Sequence, residues 1–252
     1  MPITDPWFYL AAVPAVLLAG ISKGGFGGGL GVMAVPLMAL FVSPVQAAAI
    51  MLPILCLMDI FGLRAYRNTW DRRNIAIMVP GALVGILIGT LTFRYLNDGM
   101  IRLLIGTIAI GFTLHHFARR VSLRPARPSR LVGGLASALA GFTSFVAHAG
   151  GPPVQFFLLP QRMDKTLYVG TTVVFFFVIN YVKLVPYGWL GQFSPDNLLT
   201  ALILAPLAPL GIWLGVRLHG PVGHELFYRL CYGMLLVTGV KLLWDGLWPL
   251  LT

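Results

Sequence analysis

Lys23-Gly-Gly-Phe-Gly-Gly-Gly-Leu-Gly31 interrupts an otherwise apolar N-terminal segment, and a weaker echo follows 122 residues later around His148-Ala-Gly-Gly151. Six of the nine residues in the first stretch are glycine. Lipid cannot hydrogen-bond bare backbone groups, so such a break is tolerated at membrane depth only where protein or a water-filled cavity covers it. The two stretches therefore predict a pair of interrupted helices that face the interior of the protein.

The composition is typical of a multispanning membrane protein. The chain has 252 residues, of which 58% are hydrophobic and 10% charged, and its mean hydropathy is +0.84, far from the values of soluble domains. Because a transmembrane helix needs about 20 apolar residues, we predict an all-α membrane protein with about 8 to 10 transmembrane helical segments, some broken or re-entrant. The apolar runs predict ten helical elements, of which the second and seventh are short: 6–22, 29–42, 45–63, 75–93, 101–117, 131–147, 152–160, 166–185, 197–216 and 226–246.

Basic residues set the predicted orientation. The net charge of +10 would suggest nucleic acid as the partner of a soluble protein, but most Lys and Arg fall in short loops between apolar runs. Cytoplasmic loops of membrane proteins carry an excess of these residues. We therefore expect loops 64–73, 119–130 and 162–165 to face the cytoplasm, and loop 185–196 and both termini to lie outside. The expected surroundings are a lipid bilayer, with no nucleic acid.

The two halves of the chain resemble each other weakly. At an offset of 122 residues Ser22 matches Ser144 and Gly28-Gly29 match Gly150-Gly151, and at 126 Pro80 matches Pro206. Each half holds five predicted elements, an odd number, so the second enters the membrane from the opposite side. The sequence thus predicts a first repeat at 1–118, a cytoplasmic linker at 119–130 and an inverted second repeat at 131–252.

The glycines of the two breaks suggest an anion site. Backbone amides freed at a break, together with the positive end of the helix that starts near Gly29, would attract an anion. The same glycines also permit close helix crossing, and that alternative stays open. The glycine positions predicted to contact an anion are Gly24, Gly25, Gly27, Gly28, Gly29, Gly150 and Gly151.

Ionisable and neutral polar residues flank the breaks. Lys23 lies between two uncharged runs, where an ammonium needs a partner, a cavity or an interface. It either attracts an anion or extends to the headgroups. His148 either hydrogen-bonds an anion and carries a proton, or satisfies backbone groups. Ser144, Gln155 and Thr171 are neutral donors that would equally suit a bond to their own helix.

Asp59 and Asn180 occupy similar places near the ends of the third helix of each half. Each precedes a tyrosine by seven residues, Tyr66 and Tyr187 respectively. Asp59 is a candidate for proton coupling, although an ion pair with Arg64 or another basic group is the simpler interpretation. Asn180 is a candidate ligand of the substrate.

Lys183 is a second candidate cation. It projects from the same helix face as Asn180, although near a helix end it would also reach the headgroups. The candidates for coupling to a proton or sodium ion are Asp59, His148 and Lys183.

Signatures of enzymes, cofactors and metals are weak. Gly29-Leu-Gly31-x-x-Ala34 imitates a dinucleotide fingerprint but lacks the preceding strand. His-Glu-x-x-His does not occur, and Cys56 and Cys231 show no paired spacing. We therefore predict no catalytic residue, cofactor, metal site or disulfide.

Three segments resemble the sulfite exporter family TauE/SafE: the glycine-rich stretch 20–31 followed by Pro36, the segment 59–71 with Tyr66 and Arg67, and Ala147-His-Ala-Gly-Gly-Pro-Pro153. The resemblance covers nearly the whole chain, and the glycine-rich stretch is its most specific part. It implies a bacterial inner-membrane carrier for sulfite, thiosulfate or organosulfonates, driven by an ion gradient.

Resemblance and breaks together predict a secondary transporter with alternating access. A small sulfur-containing oxyanion would bind between the two breaks, held by freed amides and by Lys23 or His148. An anion channel is the main alternative, since broken helices also build pores. A membrane-embedded enzyme is a weaker one, because it would need a converged set of catalytic groups.

Overall fold

The computed structural model describes residues 2–95 and 129–223, together with isolated positions between 103 and 110 and between 225 and 247. Nine α-helices lie within 2–95 and 129–223, and we number them in chain order. The predicted elements 101–117 and 226–246 and most of the predicted linker 119–130 fall outside the described residues.

Five helices are long and apolar enough to cross a membrane: α1 (Pro6–Gly25), α3 (Pro44–Ala65), α4 (Arg72–Thr92), α5 (Arg130–Ala147) and α7 (Lys165–Trp189). They confirm the predicted elements 6–22, 45–63, 75–93, 131–147 and 166–185. Side-chain oxygens of Asp5, Ser43, Asp71, Ser129 and Asp164 accept the first free backbone amides of these helices, which fixes where each helix begins. The all-α membrane fold is therefore confirmed.

Short helices follow each glycine break, as predicted. A 3-10 turn, Gly29–Met33, leads into α2 (Ala34–Met38) after the first break. After the second break, α6 (Gly151–Leu158) leads into a 3-10 turn at Leu159–Gln161. Both segments are too short to cross a bilayer by themselves.

The prediction of one helix at 197–216 is wrong. The structure has two helices there, α8 (Pro195–Leu204) and α9 (Leu207–His219), bent by 42° at the break between them. Pro206 lies at this break, where its missing amide proton and the clash of its ring with the carbonyl one turn earlier weaken the helix. Counted together, α8 and α9 are long and apolar enough to form one broken membrane span, which brings the candidate spans in the described residues to six.

Close glycine contacts join the two halves of the chain. α1 packs against α9, where a Cβ on Gly20 would lie 2.8 Å from Gly211 Cα. α4 packs against α5, where a Cβ on Gly85 would lie 1.8 Å from the Ala138 carbonyl oxygen. Only glycine allows backbones to approach this closely. Each first helix of a half therefore packs on a later helix of the other half.

Candidate functional site

The first break is a tight turn built around Ser22. The amides of Phe26 and Gly28 both donate to the Ser22 carbonyl, at 2.8 and 2.9 Å, and the amide of Leu30 donates to Ser22 Oγ at 2.9 Å. Gly27 and Gly28 have positive φ angles of 70° and 86°, which glycine adopts without strain. The oxygens of Ser22 thus accept hydrogen bonds from backbone amides of the break, which the sequence had predicted to be free to bind an anion.

The second break repeats one hydrogen bond of the first but differs from it in chemistry. The amide of Ala149 donates to the Thr143 carbonyl at 3.1 Å, which matches the bond from Gly28 to Ser22 at an offset of 121 residues. His148 ends α5 with φ 52° and ψ 29°, a left-handed conformation that costs a non-glycine residue roughly 1–2 kcal/mol. Glycine would fit this position with less strain.

A buried ion pair lies beside the first break. Lys23 Nζ lies 2.6 Å from Asp59 Oδ1, and Asn180 Nδ2 donates to Asp59 Oδ2 at 2.7 Å. Lys23 is 5% exposed and Asp59 is fully buried. Lys23 therefore does not extend to the headgroups, and the partner of Asp59 is Lys23 rather than Arg64.

A second buried cation lies beside the second break. Lys183 Nζ donates to the carbonyl and hydroxyl oxygens of Ser144 at 3.0 and 2.9 Å and to His148 Nδ1 at 2.9 Å. His148 Nε2 lies 2.8 Å from the Ala48 carbonyl oxygen. Since Nδ1 accepts from a lysine, Nε2 carries the imidazole proton and donates it to Ala48. Lys183 is fully buried and does not extend to the headgroups either.

Protonation of Lys183 would leave the four ionisable groups with one unbalanced positive charge. Lys23 and Asp59 neutralise each other, whereas the hydrogen-bond partners found for Lys183 in the described residues are neutral. With both lysines protonated and His148 neutral, the cluster carries a net charge of +1. A buried charge without a counter-charge is costly, so the cluster suits a transient anionic partner.

A cavity of about 30 Å³ lies between the two breaks. It has room for about two water molecules, and the side chains of Leu55 and Phe176 form part of its wall. Six residues that the sequence singled out line it: Lys23, Gly28, Ser144, His148, Gly151 and Asn180. Asp59 and Lys183 are hydrogen-bonded to residues of this lining.

Other predicted glycines lie against neighbouring side chains and backbone. Gly24 and Gly25 pack on Ile212 and Gly215 of α9, so close crossing accounts for both. Gly27 lies against Tyr168, Gly29 against Gln155, and Gly150 against Ser144 and Phe176.

Thr171 lies apart from the cavity lining. Its hydroxyl donates to the Leu167 carbonyl and accepts from the Asp71 amide. These bonds tie α7 to the start of α4.

Two tyrosines hold the ends of the broken helices. Tyr66 Oη donates to the Gly24 carbonyl at 2.5 Å, and Tyr187 Oη donates to the Phe145 carbonyl at 2.7 Å. The two donors, Tyr66 and Tyr187, are 121 residues apart in the sequence, and so are the two acceptors, Gly24 and Phe145. The sequence signal was the shared spacing from Asp59 to Tyr66 and from Asn180 to Tyr187, but it did not reveal what the tyrosines bind.

The long apolar helices, together with the cavity and the buried ionisable residues between two helix breaks, define a multi-pass membrane transport protein. The chain belongs to the family described as sulfite exporter TauE/SafE, whose family model matches residues 12–242. It is 25% identical over 224 residues to the "Probable sulfite/organosulfonate exporter TauE" of Cupriavidus necator, a match that covers 87% of this chain and 86% of that protein. No solved structure matches the chain.

Proposed function

We propose that this protein is a secondary transporter that moves a small sulfur-containing oxyanion, such as sulfite, thiosulfate or an organosulfonate, across the bacterial inner membrane by alternating access. The observation that carries the proposal is the unbalanced charge of Lys183 beside the cavity between the two breaks. The family and its relative's name supply the chemical class of the anion.

Charge and shape of the cluster both fit an anion. A singly charged oxyanion beside Lys183 would bring the net charge of the cluster to zero, which lowers the cost of burying it. Ser144 Oγ and Asn180 line the same cavity and offer neutral polar contacts. Leu55 and Phe176 form an apolar part of the wall, which lowers the local dielectric and strengthens the attraction.

Reciprocal packing of the two halves supports alternating access. α1 of the first half packs on α9 of the second, and α5 of the second half packs on α4 of the first. The bonds from Tyr66 to Gly24 and from Tyr187 to Phe145 repeat with one offset. These pairs are the pattern expected of inverted repeats at 1–118 and 131–252, which can exchange conformations.

In the predicted orientation the tyrosine bonds lie toward opposite faces. Tyr66 follows Arg64 at the end of α3, on the cytoplasmic side, whereas Tyr187 lies near the outer end of α7, with both termini outside. The cavity holds about two waters, so a bulkier oxyanion requires the breaks to separate. We propose that each tyrosine bond breaks when the cavity opens to its own side.

Proton coupling fits the cluster better than sodium coupling. The Asp59 carboxylate already accepts from Lys23 and Asn180, which leaves it poorly placed to ligate a cation. In the bond between Lys183 and His148 the lysine donates and the imidazole Nδ1 accepts, and an imidazole can take up a proton near neutral pH. We propose that the anion and a proton share this pair.

The test is anion counterflow into liposomes that contain the purified protein. Sulfite, thiosulfate, sulfate, sulfoacetate and taurine are compared under proton and sodium gradients. Saturable uptake that follows the proton gradient is the expected result. Unsaturable flux at very high rates would indicate a channel, and chemical conversion of the anion would indicate an enzyme.

A further inference from the structure

Gln155 is a fully buried amide without a hydrogen-bond partner. It lies on α6, one helical turn after Gly151, and is 0% exposed. Neither its Oε1 nor its Nε2 makes a hydrogen bond. Buried polar groups without partners are rare and costly, so a fully unpaired amide calls for a ligand.

The amide lies between the two breaks. A Cβ on Gly29 would lie 2.5 Å from Gln155 Nε2 and 3.4 Å from its Oε1, so only glycine leaves room for it there. Two glycines next to this contact line the cavity: Gly28, which precedes Gly29, and Gly151, which lies one turn before Gln155. A Cβ on Gly151 would lie 2.9 Å from the Gly28 carbonyl oxygen. The Gln155 amide lies behind Gly29, next to the cavity residue Gly28. The separation of the two breaks proposed above would bring this amide to the cavity.

We infer that Gln155 selects the transported anion by hydrogen-bonding it through both ends of the amide, and so favours oxyanions that carry a proton donor. This inference rests on the proposed transport function. Hydrogensulfite carries an O–H and taurine an ammonium, whereas sulfate offers acceptors only. Lys23 and Lys183 can only donate. Gln155 Oε1 therefore supplies an acceptor that neither cation can provide.

The physical reason for selectivity is the cost of an unmade bond. Sulfate would accept from Nε2 but leave Oε1 buried without a donor and facing negative charge. An anion with a donor satisfies both atoms. Sites built to hydrogen-bond a polar group reject analogues that lack it more strongly than apolar sites distinguish size.

The test measures competition between anions in proteoliposomes at mildly acidic pH, where hydrogensulfite predominates. We expect the parent to prefer hydrogensulfite and taurine over sulfate, and Gln155→Met to reduce that preference ratio about tenfold or more. The matched control is Gln161→Met, since Gln161 lies in the same segment but is hydrogen-bonded to Asn74. This control should keep the parent's preference.

A second variant covers the case in which Gln155→Met does not fold. Gly29→Ala fills the space against the amide and should cause the same loss of preference in folded protein. An unchanged preference ratio in either folded variant overturns the inference but leaves the transport function standing. If the parent moves none of the anions, the proposed function fails and this inference fails with it.

Discussion

The ion pair between Lys23 and Asp59 gives a quantitative prediction about stability. Its atoms are 2.6 Å apart, and the side chains are 6% and 0% exposed. Removing one partner leaves an unpaired charge in a buried site, which typically costs about 3–5 kcal/mol. Replacing both partners by apolar residues removes the charges together and costs much less. Lys23→Met and Asp59→Leu should each destabilise the protein far more than the double variant.

Thermal unfolding in detergent measures this difference. About 3–5 kcal/mol corresponds to a fall in Tm of roughly 6–20 °C for a chain of this size. The double variant should recover most of that fall. Arg130→Gln is a control, because Arg130 is exposed at the start of α5. Single variants as stable as the parent, or a double variant less stable than either, would refute the reasoning about this pair.

Three further predictions concern the tyrosine bonds, His148 and the helix crossings. Tyr66→Phe and Tyr187→Phe each remove a hydrogen bond worth about 1 kcal/mol, so they should shift the equilibrium between the two open states roughly fivefold in opposite directions. Labelling of Ala149→Cys by a membrane-impermeant thiol reagent measures this shift in a protein whose Cys56 and Cys231 are replaced by serine. Equal shifts in one direction would contradict the prediction. His148→Gly relieves the backbone strain of the left-handed position at the end of α5, so Tm should stay unchanged or rise while sulfite transport falls. A variant that transports like the parent would show that the imidazole has no role. Gly85→Val should abolish recovery of folded protein, because even a Cβ there would lie 1.8 Å from the Ala138 carbonyl oxygen. The control Gly134→Ala should be recovered like the parent, because its Cβ meets nothing within 4 Å. Equal recovery of the two variants would refute the packing argument.

Hydropathy and glycine pattern were enough to predict the long helices and both breaks. Each span is a run of apolar residues bounded by caps and charges, so α1, α3, α4, α5 and α7 begin and end within a few residues of their predicted bounds. Proline was a poorer guide, because Pro80 lies inside the continuous α4 whereas Pro206 separates α8 from α9. Whether a proline breaks a helix depends on the surrounding packing, which the sequence pattern does not contain.

The site residues were predictable as candidates, but their partners were not. Lys23, Asp59, His148 and Lys183 all stand out as ionisable residues in apolar runs. Their pairing depends on how α1, α3, α5 and α7 meet in space. Lys23 and Asp59 are 36 residues apart, and Lys183 and Ser144 are 39 apart. The unpaired amide of Gln155 likewise became visible only once its buried surroundings were known.

Sulfite flux through Lys183→Met in proteoliposomes tests the central claim most directly. A hydrogen bond to a charged group contributes about 1.5–3 kcal/mol, so loss of this cation should reduce the flux roughly 10- to 150-fold. Lys183→Arg, which keeps the charge, should retain more of the flux than Lys183→Met. The account predicts this order in folded variants with the Tm of each recorded. Flux through folded Lys183→Met equal to that of the parent would contradict the claim that an anion pairs with Lys183 between the two breaks.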